Sequence, residues 1–338
     1  MAASFVAKVT ASLLAALTVA CAFLAAASRL PNRQAMVLAL GLGLGTNLWT
    51  GVSQTLWQQE TALLCLMAAV LLLDTATPSV RRALAVGALI GLAGWARPQL
   101  AVTVAVLMIS LAVRWRRRAA VAAIPVVILA GVAIAINVMW FGHPLGAVPI
   151  LEALHPTIHG VSGSLETKPW LSAAGLLFSP SRGLLVFSPI VAIAAAGFHE
   201  SLRGRWDSPL RWYLIAAVSQ FAFYSMYKIW WAGHTFGPRY ALNLLPMLVP
   251  LAIAGFPIVT RSRILTGIAT VALAWSVAVA AAGAFIYPAE QWNTDPTEVD
   301  RYHERLWEWR DSQIVRTFRS RPSPRNFDLF TRDSIRRP

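Results

Sequence analysis

The sequence predicts an all-α, polytopic integral membrane protein with about ten membrane-embedded helices and a C-terminal extracytoplasmic tail. The chain of 338 residues is 57% hydrophobic and only 13% charged, and its mean hydropathy is +0.58. Its apolar stretches alternate with short loops that are rich in arginine, as in multi-pass membrane proteins. We therefore expect a transmembrane helical domain over residues 1–286 and a tail over residues 287–338, whose final twenty residues have a disordered composition.

Each apolar stretch between two polar loops is assigned to one helix. Several of these stretches are shorter than the roughly 20 residues that span a bilayer, so some of them could be re-entrant or buried segments. Gly87 and Gly91 form a small-xxx-small pattern that is typical of close helix packing. The predicted helices cover residues 6–27, 35–49, 59–73, 82–96, 98–113, 119–141, 183–198, 212–229, 240–258 and 264–286.

Alternate loops carry most of the arginines, and the positive-inside rule places such loops in the cytoplasm. The opposite loops and the tail are then outside. The net charge of +14 follows this pattern and gives no indication of a nucleic-acid partner. The arginine-rich loops contain Arg29 and Arg33; Arg81 and Arg82; Arg114, Arg116, Arg117 and Arg118; Arg203, Arg205 and Arg211; Arg261 and Arg263.

The first apolar stretch has two interpretations. Lys8, the apolar run and Ala25–Ala27 resemble a signal peptide. Arg29 and Arg33 follow the run, however, and such charges resist translocation. We expect a retained helix with its amino end outside.

The run from Lys228 to Tyr240, KIWWAGHTFGPRY, contains the main binding candidates on the external side. Gly237-Pro238 prevents a simple helical continuation. Arg239 would then begin the next apolar helix at the membrane boundary, where its planar fork could hold a lipid phosphate. Lys228 and His234 are further binding candidates. The alternative is an interface loop with an aromatic belt and a snorkelling arginine.

Three more candidates come from other external loops. Glu60 begins an apolar segment, so it is a candidate catalytic carboxylate or a residue at headgroup level. Arg97 could pair with an anion or snorkel. Arg182 follows two serines just before a predicted helix, where these residues form either an anion site or an ordinary helix start. His155 and His159 have the i,i+4 spacing of two metal ligands, but Pro156 lies between them and no nearby carboxylate completes a pattern. We therefore predict no metal site and no cofactor.

Several stretches together resemble bacterial membrane glycosyltransferases of the GT-C superfold. The stretches are GTNLWTGVSQTLWQQE (45–60), GLAGWARPQ (91–99), LFSPSRGLLVFSPI (177–190), WWAGHTFGPRYALNLLP (230–246) and the tail segment WNTDPTEVDRYHERLWEW (292–309). The resemblance implies a protein of the bacterial inner membrane that moves a sugar from a polyprenyl-phosphate carrier to an acceptor on the outer face.

The chain departs from this family at its beginning. The resemblance implies an acidic residue in the first external loop. This chain, however, has no Asp or Glu before Glu60. This departure implies a wrongly chosen start, a truncated chain or a non-catalytic role. We then expect little or no sugar transfer, unless Glu60 has taken over as the catalytic carboxylate. A transporter of lipid-linked substrates and a non-enzymatic membrane subunit remain alternatives, although no internal repeat supports a transporter.

Overall fold

The computed structural model describes residues 2–74, 78–150, 168–286 and 291–320, with side chains from Phe5 onward. All regular elements in these ranges are helical, which confirms the predicted all-α class. The α-helices are Ala2–Ala27 (α1), Asn32–Leu44 (α2), Gln58–Leu73 (α3), Val80–Ala96 (α4), Ala101–Trp115 (α5), Arg117–Phe141 (α6), Pro169–Phe178 (α7), Leu184–Phe187 (α8), Ile193–Ala196 (α9), Phe198–Arg203 (α10), Pro209–Ser225 (α11), Leu245–Arg261 (α12), Arg263–Phe285 (α13) and Gln313–Arg319 (α14).

Several of these helices could cross a membrane. Helix α6 is apolar yet largely exposed, with Val127 at 68% and Met139 at 79% of their full accessibility. An apolar surface of this size is typical of contact with lipid. Among the described residues, five stretches are long and apolar enough to span a bilayer, namely Phe5–Ala27, Pro98–Trp115, Arg117–Phe141, Tyr240–Arg261 and Arg263–Phe285.

Three predicted helices end early or are broken. The helix predicted at 35–49 ends at Leu44, and a π-helical turn follows at Leu48–Val52. The Thr46 hydroxyl donates to the Leu42 carbonyl and accepts from the Leu48 backbone, so it competes with regular helical pairing.

The helix predicted at 183–198 is also not continuous. It consists of α8, a 3₁₀ turn at Pro189–Ala192 and α9. Ser188 adopts φ −137° and ψ 61°, because a residue that precedes proline is disfavoured in the α region. The helix predicted at 212–229 begins earlier, at Pro209, and ends at Ser225.

The small-residue pattern on α4 does mark a close helix crossing. A Cβ atom on Gly87 would lie 1.9 Å from the Ala122 carbonyl oxygen, and one on Gly91 would lie 3.1 Å from the Val126 Cα. Both contacts are with α6; the one at Gly87 excludes any side chain, and the one at Gly91 would require α6 to shift slightly.

Loops that were predicted to share one side meet at one end of the helices. Arg29 forms an ion pair of 2.5 Å with Asp74. Arg114 donates to the backbone carbonyls of Leu73 and Asp207. These contacts join the first four arginine-rich loops at the same end of the helices. This agrees with the prediction that the four loops share one side.

We expect cysteines at Ser79 and Thr297 to be labelled from opposite sides of the membrane in intact cells, because these positions belong to the predicted inner and outer faces. Impermeant maleimide labelling before and after permeabilisation measures this. Cys21 and Cys65 would first be replaced by alanine. Labelling of both positions from the same side would contradict the predicted topology.

Candidate anion-binding site

The segment 226–239 connects α11 to the 3₁₀ turn Tyr240–Leu244 and places Arg239 at its end. Gly237 has φ +73°, and a Cβ there would lie 2.6 Å from Asn47 Nδ2. The Asn47 amide donates to the Phe236 carbonyl, while the Gly237 N–H donates to Gln313 Oε1 over 2.9 Å. The glycine therefore allows a tight bend that both side chains hold in place.

Arg239 is held from two directions. Its Nε donates to Gln59 Oε1 over 3.1 Å, and Gln59 Nε2 donates back to the Arg239 carbonyl over 2.9 Å. The guanidinium carbon lies 3.7 Å from the centre of the Trp57 ring, in a cation–π contact. Within the described part of the chain, hydrogen bonds from Arg239 involve Nε alone, so its two terminal nitrogens remain available to a ligand.

Glu60 begins α3 beside these residues and is completely buried. Its Oε2 accepts the Trp57 backbone N–H over 2.8 Å and so caps the start of the helix. Its Oε1 is buried and makes no hydrogen bond with any described residue. One oxygen of Glu60 thus caps the helix, and the other can still accept a hydrogen bond.

Arg97 lies at the C-terminal end of α4, where a positive charge is favoured by the helix dipole. The residue is 4% exposed. Its Nε has no hydrogen-bond partner among the described residues, although its guanidinium reaches the Tyr224 hydroxyl. Tyr224 in turn stacks on Tyr240, with ring centres 4.8 Å apart. A buried guanidinium with an unused donor is typical of an anion site.

A cavity of about 300 Å³ has a lining that includes Trp57, Gln59, Glu60, His234 and Arg239, while Arg97 lies outside this lining and acts on Arg239 through its charge. Lys8 from α1 also lines the cavity, a contribution that the sequence analysis missed because Lys8 resembled the charge that precedes a signal peptide. Among the described lining residues, Lys8 and Arg239 are cationic and Glu60 is the acid.

The charges around the cavity act on each other. Burial, and secondarily the positive charge of Arg97, lowers the pKa of Arg239 to about 10. The guanidinium therefore stays protonated at neutral pH. Its repulsion with Arg97 is only partly offset by Glu60, which favours the binding of a further negatively charged group.

Arg182, a predicted binding residue, is surrounded by acceptors from the protein itself. It is 1% exposed, and its donors are taken up by protein acceptors. Burial lowers its pKa to about 9, so it still carries its charge at neutral pH. The acceptors are the carbonyls of Ser181, Trp231 and Gly233 and the side chains of Asn293 and Gln313.

Of the remaining candidates, only His234 lines the cavity within the described part of the chain. Lys228 is exposed and does not line the cavity. His234 lines the cavity at the side where the tail packs, and its Nε2 lies 3.2 Å from Asp300 Oδ2. His155 and His159, together with Glu152 and Glu166, fall outside the described residues.

The tail packs over the segment 226–239. Ser179 donates to the Leu306 carbonyl over 2.5 Å, and the Trp231 indole donates to Asp300 Oδ1 over 2.7 Å. Trp292 is fully buried and lies beneath the guanidinium of Arg305, 4.5 Å from the ring centre. Tail residues therefore pack against the segment that carries His234 and Arg239. Gln313 was missed because an isolated glutamine in a charged segment carries no sequence signal.

Comparison with known protein families, characterised proteins and solved structures finds no match for this chain. The GT-C resemblance therefore stays a prediction from the quoted sequence stretches.

Arg182→Met should release the tail and lower stability by about 3 kcal/mol or more, because several buried acceptors lose a charged donor. Limited proteolysis should cut the tail faster, and the thermal unfolding midpoint should fall. Arg310→Met is the matched control, since Arg310 is exposed in the same tail. Unchanged tail protection in Arg182→Met would contradict the anchoring role.

Proposed function

We propose that the cavity binds the phosphate of a polyprenyl-phosphate-linked sugar, and that the protein is a membrane glycosyltransferase of the GT-C type. The observation that carries this proposal is the pair of guanidiniums with unused donors, Arg239 and Arg97, beside one carboxylate. Lys8 adds a third positive charge. The exposed apolar faces of the helices favour a substrate that arrives through lipid.

Arg239 is the principal phosphate ligand in this proposal. Gln59 and Trp57 fix the orientation of its guanidinium, so little side-chain entropy is lost when an anion binds. Its terminal nitrogens can donate two parallel hydrogen bonds to one phosphate. Arg97 contributes charge from the buried side of the site, and Lys8 from α1.

Sugar transfer requires a leaving phosphate and an activated acceptor. The acceptor hydroxyl oxygen forms a bond with the anomeric carbon, while the bond from that carbon to the phosphate oxygen breaks. The departing phosphate keeps the electron pair, and the cations stabilise its developing charge. The hydroxyl proton passes to a base, for which Glu60 Oε1 is our candidate because it is the unpartnered carboxylate oxygen at the cavity.

Arg239→Ala should weaken polyprenyl-phosphate binding by about 1.5–3 kcal/mol, because a charge-assisted contact is lost. Binding to the protein in lipid nanodiscs can be measured by native mass spectrometry. Arg239→Lys should restore binding only partly, since an ammonium lacks the fork. Arg261→Ala removes an exposed charge from α12 and should bind as the parent does. Equal binding by Arg239→Ala, with the fold intact, would rule out this phosphate site.

Glu60→Gln should bind the lipid carrier and transfer sugar about 10²–10⁴-fold more slowly than the parent, because the general base is lost. The assay uses a radiolabelled polyprenyl-phosphate sugar with a panel of candidate acceptors. The capping contact with the Trp57 N–H remains possible for the glutamine oxygen, so helix α3 should persist. Carrier binding without transfer by the parent would overturn the transferase proposal and favour a non-enzymatic subunit.

A further inference from the structure

Three potential metal ligands meet where the tail packs on the segment 226–239. They are His234 from that segment and Glu298 and Asp300 from the tail, and one donor atom of each lies within 4.8 Å of the others. His234 Nε2 is 3.2 Å from Asp300 Oδ2 and 4.0 Å from Glu298 Oε1. The cluster combines an imidazole with two carboxylates from distant parts of the chain.

Each carboxylate has one oxygen held by a neighbouring donor and the other turned towards His234. Asp300 Oδ1 accepts the Trp231 indole N–H over 2.7 Å. Glu298 Oε2 lies 3.3 Å from Arg301 Nε. Outer contacts of this kind commonly orient the carboxylates that bind a metal ion.

His234 Nε2 is the inner atom of the cluster. It is buried and makes no well-formed hydrogen bond with any described residue, in spite of its short distance to Asp300. A simple hydrogen-bonded pair would be expected to align the N–H with the carboxylate. Three donor atoms that converge without this alignment are expected of residues that bind one metal ion.

The spacing suits a small divalent ion. Zinc binds nitrogen and oxygen ligands at about 2.0–2.2 Å, so neighbouring donors of a tetrahedral site lie about 3.3–3.5 Å apart. The observed 3.2 and 4.0 Å fall on either side of this range, and small side-chain rotations would adjust them. Imidazole favours zinc, while carboxylates also suit manganese.

We propose that His234, Glu298 and Asp300 bind one divalent transition-metal ion, with Zn²⁺ as the ion that fits best. This site goes beyond the proposed sugar transfer and does not depend on it. The ion would join the tail to the segment that carries Arg239. Because His234 also lines the cavity, the ion would lie at the cavity rim.

Zn²⁺ titration of the full chain, purified in detergent without a histidine tag, tests the site. Isothermal calorimetry should show one equivalent bound, and the thermal midpoint should rise with Zn²⁺. His234→Ala and Glu298→Gln should each weaken binding at least about 100-fold, since even loss of an outer contact can cost 10–100-fold. Glu298 is partly exposed, so Glu298→Gln should fold normally.

Two exposed residues provide matched controls. His199→Ala removes an imidazole and Glu304→Gln removes a tail carboxylate, and both should bind Zn²⁺ as the parent does. Absence of binding, or equal binding by His234→Ala, would overturn the proposal and leave a polar contact between His234 and the two carboxylates. Arg239→Ala should retain Zn²⁺ while losing the lipid phosphate, which separates the two proposals.

Discussion

The hydrogen bonds of buried Arg182 determine the arrangement of the end of the molecule that contains the cavity and the tail. Its guanidinium binds the Gln313 side chain, and the same amide group accepts from Gly237 and donates to the Thr235 carbonyl. A charge in a buried position is costly unless its donors are satisfied. The turn 179–183, the segment 226–239 and the tail must therefore come together, and this fixes the bend that leads to Arg239.

The cavity depends on a second balance, between cations and one carboxylate. Arg239 and Arg97 repel each other, and the single carboxylate of Glu60 offsets only part of this repulsion. The fold thus keeps positive charge in a partly apolar setting where water screens it poorly. Such an arrangement is costly to the free protein and becomes favourable when an anion enters, which is typical of a binding site rather than of a structural contact.

The sequence predicted the helical class, the grouping of the arginine-rich loops and the crossing at Gly87, because hydropathy, charge bias and small-residue spacing are local signals. It also selected Arg239, Arg97 and Glu60, which the structure brings together. It could not separate Arg182 from them, since a buried structural arginine and a ligand-binding arginine look alike before their partners are known. The roles of Gln59, Gln313 and Asp300 depend on contacts across more than sixty positions, which no local pattern encodes.

Helix length gives a physical reason for a polar site at this end. Helix α3 has 16 residues and α4 has 17, so at 1.5 Å per residue they reach about 24 and 26 Å. The hydrocarbon core of a bilayer is about 30 Å thick. If α3 ends and α4 begins at the arginine-rich face, the start of α3 and the end of α4 do not reach the opposite surface of the membrane. Glu60 and Arg97 then lie in a recess below the headgroups, which a lipid-linked phosphate can enter sideways while its chain stays in the membrane.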